Sequence, residues 1–193
     1  MHEEINRQTA RSFSIRRALQ TATRQTRWGP QPDPVARDIL ATGHVPALEL
    51  ELAALGISQV QHLGSGVSSI VFSADNRVVR LGRGSAKPRP PIPEVLQADT
   101  VGVVGRIGYE ILPKADLSGI TSQDVAKIAN DLAGRGYRFS DPGTDKLGRF
   151  KGRIVVLDSG AIEYLAAQGD NGIAQAVEVA PSTRQTRGHE HER

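Results

Sequence analysis

The sequence contains no cysteine among its 193 residues. Disulfides and thiolate metal sites are therefore excluded, and the composition fits an intracellular chain. Aromatic residues are scarce, at 4%, so one modest core has to be built from Val, Ile, Leu and Ala with few rings to fill space. The same scarcity removes the stacking platforms on which single-stranded nucleic acid is bound. No apolar run approaches the roughly 20 residues that span a bilayer. The N-terminal stretch is polar and arginine-bearing and lacks the apolar segment of a secretory signal. The formal charge of +3 is small, and much of it lies near the ends of the chain. A nucleic-acid footprint needs a concentrated basic face, so overall charge is weak ground for such a partner.

What is present falls into four stretches. Residues 1–30 carry Arg7, Arg11, Arg16, Arg17, Arg24 and Arg27 against Glu3 and Glu4. They read as a basic arm, helical or flexible, either solvated or docked on an acidic partner. "GPQPDP" (29–34) breaks the chain, and 31–57 reads as a short helical segment. There Asp33 is an N-cap, Pro34 a first helical residue and Gly43 a stop. "VPALELELAALG" (45–56) alternates Leu with Glu and reads as helix or strand. Residues 58–170 form the main domain and 171–193 a polar, disordered tail, in which His189 and His191 are solvated rather than metal ligands. Within the main domain, strand signals recur at 59–63, 67–73, 77–82, 100–104 and 107–112, interrupted by "KPRPPIP" (87–93). Thr121-x-x-Asp124 makes a capping-box start for a helix carrying Val125, Ile128, Ala129 and Leu132. A polar loop (140–149) follows, then a strand, "GRIVVLD" (152–158), and "AIEYLAAQG" as a short closing helix. The expected fold class is α+β: a small antiparallel sheet, a truncated helical part and an N-terminal helical arm.

Two carboxylates stand where chemistry is expected. Asp158 ends an apolar strand next to Ser-Gly, either as a helix cap or as a carboxylate for Mg²⁺ on nucleotide phosphates. Asp141 sits in "SDPGTDK", either as a turn former or as a loop acid. Upstream, "HLGSGVSSIVF" presents a glycine-rich hairpin tip whose backbone N–H groups can approach phosphate.

The ordered set resembles the protein-kinase-like superfamily, which includes aminoglycoside phosphotransferases and small bacterial effector kinases. "GSGVSSIV" is similar to the glycine-rich loop, which implies that Gly64, Ser65, Gly66, Ser68, Ser69 and Val71 hold ATP. By the same resemblance Arg80 in "RVVRL" stands at the third-strand lysine and Glu94 is its acidic partner. "YEILPKADLSG" looks like the hinge, with Leu112 among the residues against adenine. Asp141 matches the catalytic-loop Asp, and Asp158 in "LDSGAI" the metal Asp. The family's metal-binding Asn, five residues after the catalytic Asp, falls on Lys146, with Asp145 beside it as a substitute Mg²⁺ ligand.

Three functions are compatible with this pattern. The first is an ATP- and Mg²⁺-dependent phosphotransferase acting on a protein hydroxyl, as a bacterial effector or phage-encoded protein, in the cytoplasm or delivered into a host cell. Here Arg80 and Asp141 would be catalytic. The second is a kinase-like binding protein that has lost turnover and works by contact with a protein partner. The third is a structural or nucleic-acid-associated protein in which the glycine hairpin is only a turn.

Overall fold

The computed structural model describes residues 14–23, 33–84 and 88–165. Its sheet is built around short turns. Ala74 pairs with Arg77 across Asp75–Asn76, and Asp75 takes a φ of 51°, a left-handed conformation that Asp tolerates. Five antiparallel strands result: β1 (Gln61–Ser65), β2 (Ser69–Ala74), β3 (Arg77–Arg83), β4 (Thr100–Val104) and β5 (Ile107–Pro113), in the order β1-β2-β3-β5-β4. The sequence signals therefore locate all five strands, and the fold is α+β. β5 lies between β3 and β4, which leaves β4 as the outer strand.

Side chains alternate between the two faces of these strands. One face carries Ile70, Phe72, Val79, Leu81, Tyr109 and Ile111, all buried. Three helices cover it: α1 (Ile15–Ala22), α2 (Pro34–Ala41) and α3 (Val45–Ala54). Asp33 caps α2, accepting a 2.9 Å bond from the Ala36 amide, with Pro34 in the first turn. The ambiguous Leu–Glu stretch resolves as helix. Val45, Leu48 and Leu52 are buried at helical spacing, while Leu50, which a strand would have placed beside them, is 75% exposed. Helices and sheet thus share one core.

The other face of the sheet looks towards the C-terminal half. There α4 (Ser122–Ala133) starts with a full capping box, in which Thr121 and Asp124 each bond the other's backbone amide. Two small ribbons follow. β6 (Tyr137–Phe139) pairs with β9 (Ile162–Tyr164), and β7 (Leu147–Phe150) with β8 (Arg153–Val156). Leu147, Val156, Ile128 and Leu132 close a second core beneath them.

Two expectations are corrected here. Residues 140–149 are not all loop, because Thr144–Lys146 forms a 3-10 turn and Leu147 opens β7. The β7–β8 hairpin is set by Lys151 and Gly152, both at positive φ (49° and 77°), as a two-residue hairpin turn requires. "AIEYLAAQG" does not begin as a helix: a 3-10 turn, Ser159–Ala161, leads into β9. Ile162 is buried opposite Phe139, and the Tyr137 and Tyr164 rings meet edge-on at 5.3 Å, contacts that an extended segment makes and a helix at this place would not. The tail with His189 and His191, and Arg7, Arg11, Arg24 and Arg27 of the arm, lie outside the described residues. Among the described residues no helix is long and apolar enough to cross a membrane.

If the helices belong to the same cooperative unit as the sheet, Leu48→Ala should cost about 2–5 kcal/mol, as for a fully buried leucine. Urea denaturation followed by circular dichroism checks this. One shifted transition is expected, whereas loss of helical signal ahead of the sheet would show that the layers unfold separately.

Candidate functional site

A cleft lies between the polar face of the sheet and the turn after β8. Ser69, Arg80 and Glu110 line it from the sheet, Arg83 from the end of β3, and Ser159 and Gly160 from the turn. Its volume is about 150 Å³, below the roughly 300–1,000 Å³ of ordinary small-molecule pockets.

Arg80 is the central cation. Its Nε donates to the Ser69 hydroxyl at 3.0 Å, and Nη1 lies 3.3 Å from Asp158 Oδ1 and 3.9 Å from Glu110 Oε2. Register explains the set: Val71, Arg80 and Glu110 lie directly across from one another on β2, β3 and β5 and so share a face. Asp158 reaches them from the other side. Its carboxylate also accepts from the Gly160 amide at 3.1 Å, so it caps the 3-10 turn and pairs with Arg80 at once.

Glu110 and Arg89 were not identified from the sequence. Glu110 is 4% exposed in the middle of β5, in a strand buried on both faces. The Arg89 side chain, also 4% exposed, grips it with two bonds, Nε to Oε1 at 3.3 Å and Nη2 to Oε2 at 2.9 Å. Its Nη1 donates to the carbonyls of Leu96 and Leu157, each at 3.0 Å. A signal was present: a lone Glu inside "IGYEIL" has to find a buried cation. The arginine that answers it is hidden in a proline-rich segment read only as a breaker.

The expected pair of Glu94 with Arg80 does not form. Glu94 binds Arg135 instead, Oε1 to Nε at 2.9 Å, on the far side of the β8 region. The reason is local. Residues 94–96 run beside β8, with Val156 donating to the Glu94 carbonyl and Leu96 to that of Val156, and this turns Glu94 towards α4. Leu112 is 4% exposed and packs against Leu96 and Val155. Next to it, the Lys114 amide donates to the Asn76 carbonyl at 3.0 Å, so that hinge N–H is already bonded within the protein.

The glycine-rich tip closes on itself, with the Gly66 amide donating to the Ser69 carbonyl at 2.8 Å, and Ser65 Oγ lies 3.2 Å from His62 Nε2. Gly64 and Ser65 belong to β1, and Ser68 lines the cleft. Neither Gly64 nor Gly66 sits at positive φ, and a Cβ at either would meet nothing closer than 3.9 Å, so the fold itself does not demand glycine there.

Below the cleft, Lys146 joins the two loop acids. Its Nζ lies 3.3 Å from Asp145 and 3.6 Å from Asp141, both of which are well exposed. The hydrogen bond to Asp145 raises the Lys146 pKa above its ordinary 10.5; partial burial opposes this, and the Asp145, Asp141 and Asp158 charges add to it. The ammonium thus lies against Asp145, one of the two carboxylates that the resemblance assigns to Mg²⁺, and against Asp141, the one it assigns to catalysis. Among the described residues no three acidic, His or Cys side chains converge as a metal set. Asp158 is thus paired with Arg80 and Asp145 with Lys146, so a cation on either carboxylate would compete with a charge of the chain itself.

No family model and no curated protein matches this chain. Among solved structures it is similar to WbdD in a co-crystal with the kinase inhibitor LY294002, at 9% identity and a TM-score of 0.41, over 57% of this chain and 34% of that one. This chain thus spans about a third of that structure's length. The kinase-like reading rests on the order and placement of the chain's own elements.

A group whose pKa is raised on folding contributes stability that is fully present below its unfolded pKa and is lost as pH rises through the folded value. Lys146 should therefore stabilise the protein at neutral pH and lose its contribution only as pH rises above the ordinary lysine value of 10.5. NMR titration of the Lys146 side chain checks this. Asp145→Asn should lower its pKa towards the ordinary value, and an unchanged titration would show that the Asp145 contact is absent in solution.

Proposed function

We propose that this chain is a kinase-like binding protein that works by contact with a protein partner rather than by phosphoryl transfer. The observation that carries the reading is that cations of the chain itself hold the carboxylates a phosphotransferase would need free: Arg80 on Asp158 and Lys146 on Asp141 and Asp145. A nucleotide–metal complex would have to break these pairs and open the packing around Leu112. At the other end of the cleft, Val67 is 98% and Leu63 55% exposed on the glycine hairpin, which offers apolar surface to a partner.

One observation favours a second reading, ATP- and Mg²⁺-dependent phosphotransfer to a protein hydroxyl. Gly64 and Gly66 are not required by the fold, and glycines without a structural reason are expected where a ligand's phosphates approach backbone. In that reading Arg80 would steady phosphate and Asp141 would orient the acceptor.

Calorimetric titration with ATP, with and without Mg²⁺, separates the two, together with radiolabelled phosphate transfer into cell extract. The contact reading expects neither binding nor labelling. Mg²⁺-dependent ATP binding that is lost in Asp158→Ala, with labelling cut about 10²–10⁴-fold in Asp141→Asn, would overturn it and establish the enzyme.

A further inference from the structure

We infer that the outer edge of β4 is a self-association surface. A second copy of this chain adds there antiparallel, about a two-fold axis through Gly102, joining two five-stranded sheets into one. This is independent of what the cleft binds.

The sheet has two edge strands, β1 and β4, each of five residues. They are treated differently. β1 carries a register irregularity between His62 and Gly64, the kind of distortion that discourages pairing with another strand. β4, "TVGVV", pairs with β5 in unbroken register and has no proline, lysine or bulge. Among the described residues no hydrogen bond reaches its outer side. Its valines Val101 and Val103 are 55% and 49% exposed on the face that also bears Glu110 and Gly108. A regular, exposed, apolar edge is a template for strand addition.

The occupant follows from the strand's own symmetry. With Gly102 on the axis, Val101 of each copy stands opposite Val103 of the other, on the same face. The four valines then cover one another as β-branched cross-strand pairs. The flanking charges agree with this register. Asp99 lies opposite Gly105 of the second copy and so beside its Arg106, and the two-fold axis repeats the contact. Asp99 and Arg106 are both exposed and form no ion pair among the described residues. A parallel arrangement would instead set Asp99 against Asp99 and Arg106 against Arg106. An isologous contact of this kind closes at two copies, because the two-fold axis uses the same edge of both.

Sedimentation equilibrium on the full chain over a concentration series tests the inference. Wild type should move from 20.7 kDa towards twice that mass. Val101→Lys with Val103→Lys should raise the dissociation constant at least about tenfold, since like charges would then oppose each other across the axis. Both positions are half-exposed, so the variant should fold, and its melting curve verifies that. Asp99→Arg should weaken the dimer, and Asp99→Arg combined with Arg106→Asp should restore it. A wild type that stays monomeric at every concentration overturns the inference. So does a dimer indifferent to the valine changes, or one that the double charge swap fails to rescue.

Discussion

A carboxylate buried in the middle of a β-strand dictates much of the rest of this molecule. Burying a carboxylate is costly unless it is paired with a cation and well hydrogen-bonded, and Arg89 supplies both to Glu110. Its fork takes the two carboxylate oxygens, and its remaining nitrogen ties down the Leu96 and Leu157 carbonyls. One side chain therefore joins β5, the segment beside β8 and the turn that carries Asp158. Residues 88–96 are held by this contact, although their prolines prevent regular structure.

The position of Asp158, and with it the chemistry of the cleft, follows from that clamp. Arg80 finds Glu110 on one side and Asp158 on the other, and Arg89 neutralises Glu110 from behind. Two arginines and two carboxylates thus balance at the base of a small cleft. Lys146 repeats the device one layer lower with Asp141 and Asp145. Charges disposed this way satisfy one another, and a polyanion with a divalent ion gains less from entering than it would from unpaired groups. The proposal of a protein that acts by contact rests on this balance.

The backbone was more legible than the site. Turn residues and alternation located β1 to β5, the Asp33-Pro34 start of α2 and the Thr121–Asp124 box of α4, because each is a local preference that the tertiary structure reinforces. Arg80 and Asp158 were both singled out by an ordered pattern, as a phosphate-facing cation and a metal carboxylate, whereas the contact between them was not read from the sequence. What failed was non-local or depended on two chains of argument at once. Glu94 was matched to Arg80 by order along the sequence, but the pairing of residues 94–96 with β8 turns it to Arg135. Ile162 to Tyr164 had helix-compatible composition, and only the presence of β6 alongside makes them a strand. Arg89 sat among prolines, where the sequence suggests only an interruption, and nothing local reveals that its partner lies 21 residues on.

A double-mutant cycle between Arg89 and Glu110, read by urea denaturation, tests most directly whether this buried pair organises the fold and its cleft. Arg89→Met and Glu110→Gln should each cost about 3–5 kcal/mol, because each strands a buried partner. The double variant should lose less than the sum, with a coupling of about 1–3 kcal/mol. Additive losses, or single variants as stable as wild type, would contradict the account.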